Sequence, residues 1–301
     1  MSPQNTRLSV HLVDGTWELF RYYYALAPHQ TVAGAEVGAL RGVLGSMLGL
    51  LEEGATHLGV ATDHVIESFR NQLWPGYKTG EGIDPVLFSQ LHPLEDALES
   101  LGVTVWRMVE YEADDGLASA AALAYFDPEV ECIVICSPDK DLAQCVEGTR
   151  VVQLDRRKKV VFDEQGVIER FGVKPASIPD WLALVGDSSD GYPGLPGWGA
   201  RSASAVLGRF LHIESIPDDE GQWDVKVRGA ARLAAALREQ RAEAALFKDL
   251  AVLRTTAEVG NSVDDWLWRG PSAGFERLCD DIDAPGLARR AHQLAMKRGY
   301  T

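Results

Sequence analysis

The sequence predicts an α/β fold: a mostly parallel central sheet with helices on both faces, joined to a helical lobe. Short apolar runs near residues 8, 57, 103 and 132 alternate with longer stretches of helical spacing, the pattern of strands linked by crossover helices. Each of those runs leads into acidic residues. Beyond Val225 the chain reads as helix alone.

Leu8–Val13 is short and apolar and ends at Asp14-Gly15, so it reads as a buried strand. Glu36–Glu53 has apolar residues at helical spacing and stops before Gly54. His57–Thr62 is a second strand, followed by Asp63. Residues 68–85 are rich in turn formers and read as a mobile loop with Tyr77 and Lys78 at its centre. Pro85–Leu101 reads as one helix, Val103–Arg107 as a third strand, and Glu112–Phe126 as an alanine-rich helix with acids in its first turn. Cys132–Cys136 is the fourth strand, ended by Ser137-Pro-Asp139-Lys-Asp141. Arg150–Leu154 and Lys159–Phe162 pair as a hairpin with the basic tip Arg156–Lys159. Ile178–Val185 leads into Gly186–Ala203, and helices follow over 200–210, 226–254, 272–281 and 284–297. This divides the chain into a core, 1–183, with an arch at about 68–85, and a helical region, 184–301.

The 301 residues suffice for one large core and a smaller lobe. Hydrophobic content of 46% with 24% charged residues is that of a soluble globular protein, and no apolar run is long enough for a membrane helix. Met1–Arg7 is polar and lacks the apolar core of a signal peptide. Cys132, Cys136, Cys145 and Cys279 show neither a CxxC pair nor zinc spacing, which suits a reducing cytoplasm. The net charge of −15 opposes nucleic-acid binding unless the acids are gathered and neutralised by cations.

The acids are gathered. Ligands of open parallel sheets bind at the carboxyl ends of the strands. There stand Asp14, Asp63, Glu112 with Asp114 and Asp115, and Asp139 with Asp141. A single such residue commonly caps the next helix. The full set, crowded at one crevice, would repel unless cations lay between. Oxygen donors without a His or Cys cluster select Mg²⁺ or Mn²⁺ over Zn²⁺. Asp187 and Asp190, three apart, share one face of a helical turn and supply a second cation position. Two ions about 4 Å apart clamp an in-line displacement at phosphorus, so phosphodiester hydrolysis is the chemistry implied. The Pro193–Gly199 turn then leaves backbone N–H groups uncovered at Gly194, Gly197 and Gly199, before a helix whose N-terminus favours phosphate.

These motifs resemble the 5′-nuclease family, the flap endonucleases and 5′→3′ exonucleases that include the N-terminal domain of bacterial DNA polymerase I. The resemblance rests on Val13-Asp14-Gly15 with Arg21, Asp63, Tyr77-Lys78, Glu112–Asp115, Asp139–Asp141 and Gly186–Asp190 running into Pro193–Gly199, in order over most of the chain. It implies a PIN-like core with a helix–hairpin–helix lobe, and a stand-alone member of the family. Asp63, Glu112, Asp114, Asp115, Asp139 and Asp141 resemble the ligands of a first metal, some through water. Asp187 and Asp190 resemble those of a second, with Asp139 or Asp141 between the two, and Asp14 is expected at the edge of the site. The resemblance implies at least two Mg²⁺ or Mn²⁺ ions, with Lys78 and Arg21 on the scissile phosphate. It further places Tyr77, Gly194, Gly197, Gly199 and Arg201 on DNA. The substrates implied are duplexes with 5′ ends or 5′ single-stranded flaps, handled in replication and repair by a monomer at the cytoplasmic nucleoid. No residue pattern specifies a sliding clamp or a ligase as a further partner. The family's arch usually carries an arginine three residues after its lysine; this chain has Glu81.

A phosphatase of the haloacid-dehalogenase type also places Asp-Gly-Thr after its first strand. It needs a nucleophilic aspartate at the position held here by Leu12. A non-catalytic, structure-specific DNA-binding module would use the helix–hairpin–helix alone and would not require the carboxylates.

Overall fold

The computed structural model describes residues 8–300, so the polar segment Met1–Arg7 lies outside the described residues. In chain order the elements are β1 (Leu8–Asp14), α1 (Gly15–Ala25), α2 (Gly38–Glu52), β2 (His57–Asp63), α3 (Arg70–Leu73), α4 (Pro85–Phe88), α5 (Leu91–Ser100), β3 (Thr104–Met108), α6 (Ala113–Tyr125) and β4 (Val130–Cys136). They continue as β5 (Val151–Asp155), β6 (Val160–Phe162), α7 (Glu164–Phe171), α8 (Ile178–Val185), α9 (Ala200–Phe210), α10 (Ala230–Glu239), α11 (Arg241–Ala251), α12 (Phe275–Asp281) and α13 (Pro285–Lys297). None of the described helices is long and apolar enough to cross a membrane.

Two compact units are assembled from non-contiguous stretches. Of the described residues, those within 1–66, 80–137 and 255–301 make up the first, and 67–79 and 138–254 make up the second.

In the first unit, four parallel strands lie in the order β3-β2-β1-β4, with Val10 opposite both His57 and Ile133. Six consecutive residues of β2, His57–Thr62, are buried, as happens only where both faces of a sheet are covered. The alanines of α6 let that helix lie close over β1, β2 and β4, while α5 packs on β3. At Gly116 a Cβ would come within 2.7 Å of Met108, so the glycine sets how near α6 can approach. The C-terminal stretch belongs to this unit: Trp268 is fully buried and its indole N–H donates to the Leu101 carbonyl at 2.8 Å.

The second unit holds the antiparallel hairpin β5–β6 and the helices α3 and α7 to α11 around their own core. That core includes Leu182, Tyr192, Trp198, Leu207, Leu237 and Phe247. Among the described cysteines all four are free thiols.

Several elements differ from the sequence reading. Helix α1, directly after Asp14, was not anticipated, because Gly15 reads as a breaker. The helix expected over 85–101 breaks at Ser89-Gln90 and restarts at Leu91. Pro93 thereby falls in the first turn of α5, where its missing N–H costs nothing. The helix expected over 226–254 begins only after Gly229, at a φ of 77°, and is interrupted at Gln240.

Candidate metal centre

Asp14 ends β1 and caps α1. One carboxylate oxygen accepts from the Trp17 N–H at 2.8 Å and the other from the Ser137 hydroxyl at 3.0 Å. Asp63, at the end of β2, accepts from the Ala113 N–H at 2.8 Å and so holds the start of α6. Glu112 and Asp115 form a capping box on the same helix, with the Glu112 N–H donating to Asp115 at 3.0 Å. Asp114 sits half-buried in that first turn. In the first unit, then, Asp14, Asp63, Glu112 and Asp115 all take backbone N–H groups or cap a helix. Arg21 lies on α1, bonded to the fully buried Glu18, with its guanidinium 4.1 Å above the Tyr22 ring.

The second unit gathers Asp141, Asp187 and Asp190. Each offers a carboxylate oxygen lying within 4.8 Å of the other two, and all three residues are buried. Asp187 and Asp190 face the same side because they flank a closed turn, not a helix. The Asp187 N–H donates to the Tyr192 carbonyl at 2.9 Å, and the Gly191 and Tyr192 N–H groups return to the Asp187 carbonyl at 2.9 and 3.1 Å. Asp141 opens a 3₁₀ turn after β4, where its N–H donates to Asp139 Oδ1 at 3.0 Å. Asp139 itself is exposed.

Two lysines answer this charge. Lys140 Nζ lies 2.6 Å from Asp187 Oδ2, and Lys78 Nζ lies 3.1 Å from Asp190 Oδ1. Burial, and then the charges of Asp139, Asp190 and Asp187, push the Asp141 carboxyl well above the usual range. Its Oδ1 is buried without a hydrogen-bond partner, and so is the Tyr192 hydroxyl. Burial, then the charge of Asp141, holds that phenol above its ordinary range as well. An orphaned carboxylate oxygen among three acids is what a cation would satisfy. The all-oxygen donor set fits a hard divalent ion.

The other predicted residues are placed as follows. Tyr77 is 4% exposed and packs in the second unit's core, so its ring offers no face to a base. The segment expected to be mobile is pinned over its first half. Arg70, 1% exposed, donates to the Leu250 and Val252 carbonyls at 2.7 and 3.2 Å, and Trp74 donates to the Gly191 carbonyl at 3.0 Å. Gly194 is buried, and a Cβ there would come within 2.4 Å of the Gly186 nitrogen. Gly197 is exposed with a φ of 83°, beside the Arg232 guanidinium. The Gly199 N–H is taken by the Ser202 hydroxyl at 3.0 Å, which leaves Gly197 and the first turn of α9, with exposed Arg201, open to an anion. Lys140 carries no role in the sequence reading, although it stands between two predicted ligands; only the fold shows where its ammonium goes.

The family model described as 5′-3′ exonuclease, N-terminal resolvase-like domain, matches residues 9–172. The model described as 5′-3′ exonuclease, C-terminal SAM fold, matches residues 173–273. A 5′-3′ exonuclease of Aquifex aeolicus is 33% identical over 211 residues, covering 69% of this chain and 72% of that protein. DNA polymerase I of Pseudomonas aeruginosa is 33% identical over 265 residues, covering 84% of this chain and 28% of that protein. The chain thus spans roughly a third or less of the polymerases it matches. Among solved structures, a T5 5′-exonuclease with bound zinc ions superposes with a TM-score of 0.67 at 17% identity, covering 95% of this chain and 99% of that one. Flap endonuclease-1 from Methanococcus jannaschii gives 0.61 at 15% identity, covering 98% and 94%. These two likenesses establish a shared fold. With both family models matching in sequence order across 9–273, the chain belongs to the 5′-3′ exonuclease family.

Proposed function

We propose that this chain hydrolyses DNA phosphodiesters as a divalent-metal-dependent 5′ nuclease, acting on 5′ ends of duplexes and on 5′ flaps. The observation that carries the reading is the buried triad Asp141, Asp187 and Asp190, with the orphaned Asp141 oxygen and two lysines beside it. These three acids would hold one ion. The acids of the first unit, Asp63, Glu112, Asp114 and Asp115, with Asp14 at the edge, would supply ligands for another. Mg²⁺ or Mn²⁺ suits such donors, and when bound would lower the pKa of water and stabilise charge on the leaving oxygen.

The chain's own residues do the rest. Lys78, half-exposed and fixed beside the triad, offers a cation to the phosphate, and Arg21 is held ready by Glu18. Gly197 and the first turn of α9, with Arg201 and Arg232, grip the duplex backbone without reading bases. Support for DNA as substrate comes from the family and from a Rad2 catalytic core of like fold that is described in complex with DNA substrate. The protein acts as a monomer at the nucleoid.

Incubation of a 5′-labelled flap duplex with Mn²⁺ or Mg²⁺, and again in excess EDTA, tests the reading. Metal-dependent short 5′ products are expected. Binding without any cleavage would leave a DNA-binding module; cleavage in EDTA would remove the metal.

A further inference from the structure

We propose that Lys140 is a built-in counter-cation that occupies the Asp187 ligand position until an ion arrives, and so sets the affinity of that position. The inference rests on the metal reading above and goes beyond it in assigning a residue that competes with the ion.

Three buried carboxylates within 4.8 Å of one another cannot all stay charged in a water-poor site without compensation. Lys78 compensates Asp190 and Lys140 compensates Asp187. The two lysines are held differently. The Lys78 backbone is part of the site: its N–H donates to the Asp190 carbonyl at 3.0 Å and its own carbonyl accepts from the Asn71 amide at 2.9 Å. Lys140 approaches through its side chain alone, which is 31% exposed and has a path to solvent.

The contested atom is defined. Asp187 Oδ1 accepts the Ser189 N–H at 2.9 Å, which holds the turn. Oδ2 is therefore the oxygen left for an ion, and it is the one that Lys140 holds at 2.6 Å. Entry of a cation requires the ammonium to leave, since two positive charges cannot share that oxygen at such a distance. Rotation of one half-buried lysine side chain suffices; no backbone need move.

The test is calorimetric titration of metal-free protein with Mn²⁺, paired with thermal denaturation in EDTA and at saturating Mn²⁺, for wild type, K140M, K140Q and K140R. The expected result is that K140M and K140Q bind Mn²⁺ about tenfold more tightly. Both should melt below wild type in EDTA, with the deficit vanishing when Mn²⁺ is saturating. K140R should track wild type. A merely structural lysine would lower the melting temperature equally in both conditions and leave affinity alone. Should K140M fail to fold without metal, K140Q carries the comparison. Neutral variants that bind no tighter than a wild type which itself binds overturn the proposal alone. A wild type that takes up no Mn²⁺ overturns the metal reading, and the proposal with it.

Discussion

Lys78 meets Asp190 twice. Its backbone N–H donates to the Asp190 carbonyl at 3.0 Å, and its ammonium lies 3.1 Å from the same residue's carboxylate. The lysine is thus fixed to the turn that presents the triad, and its position is set by what holds residues 70–79. Asn71 contributes by donating its amide to the Lys78 carbonyl at 2.9 Å. Asn71→Ala removes two half-buried hydrogen bonds, this one and the Ser68 N–H to Asn71 Oδ1 bond at 2.8 Å, and should cost about 1–2 kcal/mol of stability. Single-turnover cleavage should fall about tenfold while flap binding stays unchanged. Equal loss of binding and rate would show that Asn71 only supports the fold.

Asp141→Asn separates metal chemistry from stability. The wild-type carboxyl is pushed up by burial and by three neighbouring acids, so its charge is a liability to the metal-free fold. The amide should leave the metal-free protein at least as stable as wild type in EDTA. It should also abolish the metal-induced rise in melting temperature and lower cleavage by several orders of magnitude. Retention of that rise would remove Asp141 from the ligand set.

Metal affinity should depend on pH with a definite sign. Because the Asp141 carboxyl is raised in the metal-free fold, it keeps its proton to higher pH than an ordinary aspartate. Ion binding must displace that proton. Apparent Mn²⁺ affinity should therefore weaken as pH falls through the raised value, and titrations in buffers of different ionisation enthalpy should reveal proton release. In EDTA the sign for stability is opposite to that of a salt-bridged acid. The fold is fully favoured below the ordinary aspartate range and loses stability as pH rises from there through the raised value.

Gly191 has a φ of 84°, and a Cβ there would fall 2.0 Å from the Gly76 carbonyl oxygen. Gly191→Ala should push residues 74–78 off the metal turn, breaking the Trp74 to Gly191 bond. A loss of about 2 kcal/mol is expected. Denaturant unfolding checks the cost, and the emission of Trp74 checks the displacement.

Glu81 is exposed, so its charge acts on a nearby phosphate through screened solvent. Glu81→Arg should tighten flap binding at low salt and steepen the salt dependence by about one counterion. A slower single-turnover rate at unchanged binding would assign Glu81 to ordering the arch instead.

Much of this protein is determined by sequence alone. Strands of apolar residues that lead into Asp14, Asp63 and Asp139 announce a parallel sheet with its chemistry at one end, because period and turn residues are local properties. Helix α9 falls where its spacing puts it, between Gly199 and Leu211. The pairing of Asp187 with Asp190 is equally legible, although the turn that aligns them is closed by a backbone bridge and not by helix geometry. What the sequence could not decide was which long-range partner each polar group would find. Tyr77 reads as an aromatic at the centre of a mobile loop, yet it is buried, because residues 67–79 fold into the second unit with α11. Arg70 finds its carbonyls 180 and 182 residues away. The first-unit acids take up helix N-termini, which compete with metal ions for the same oxygens. Lys140 looks like a spacer between two ligands until the chain brings Asp187 against it. Burial and charge compensation depend on neighbours distant in sequence, and only the tertiary structure supplies them.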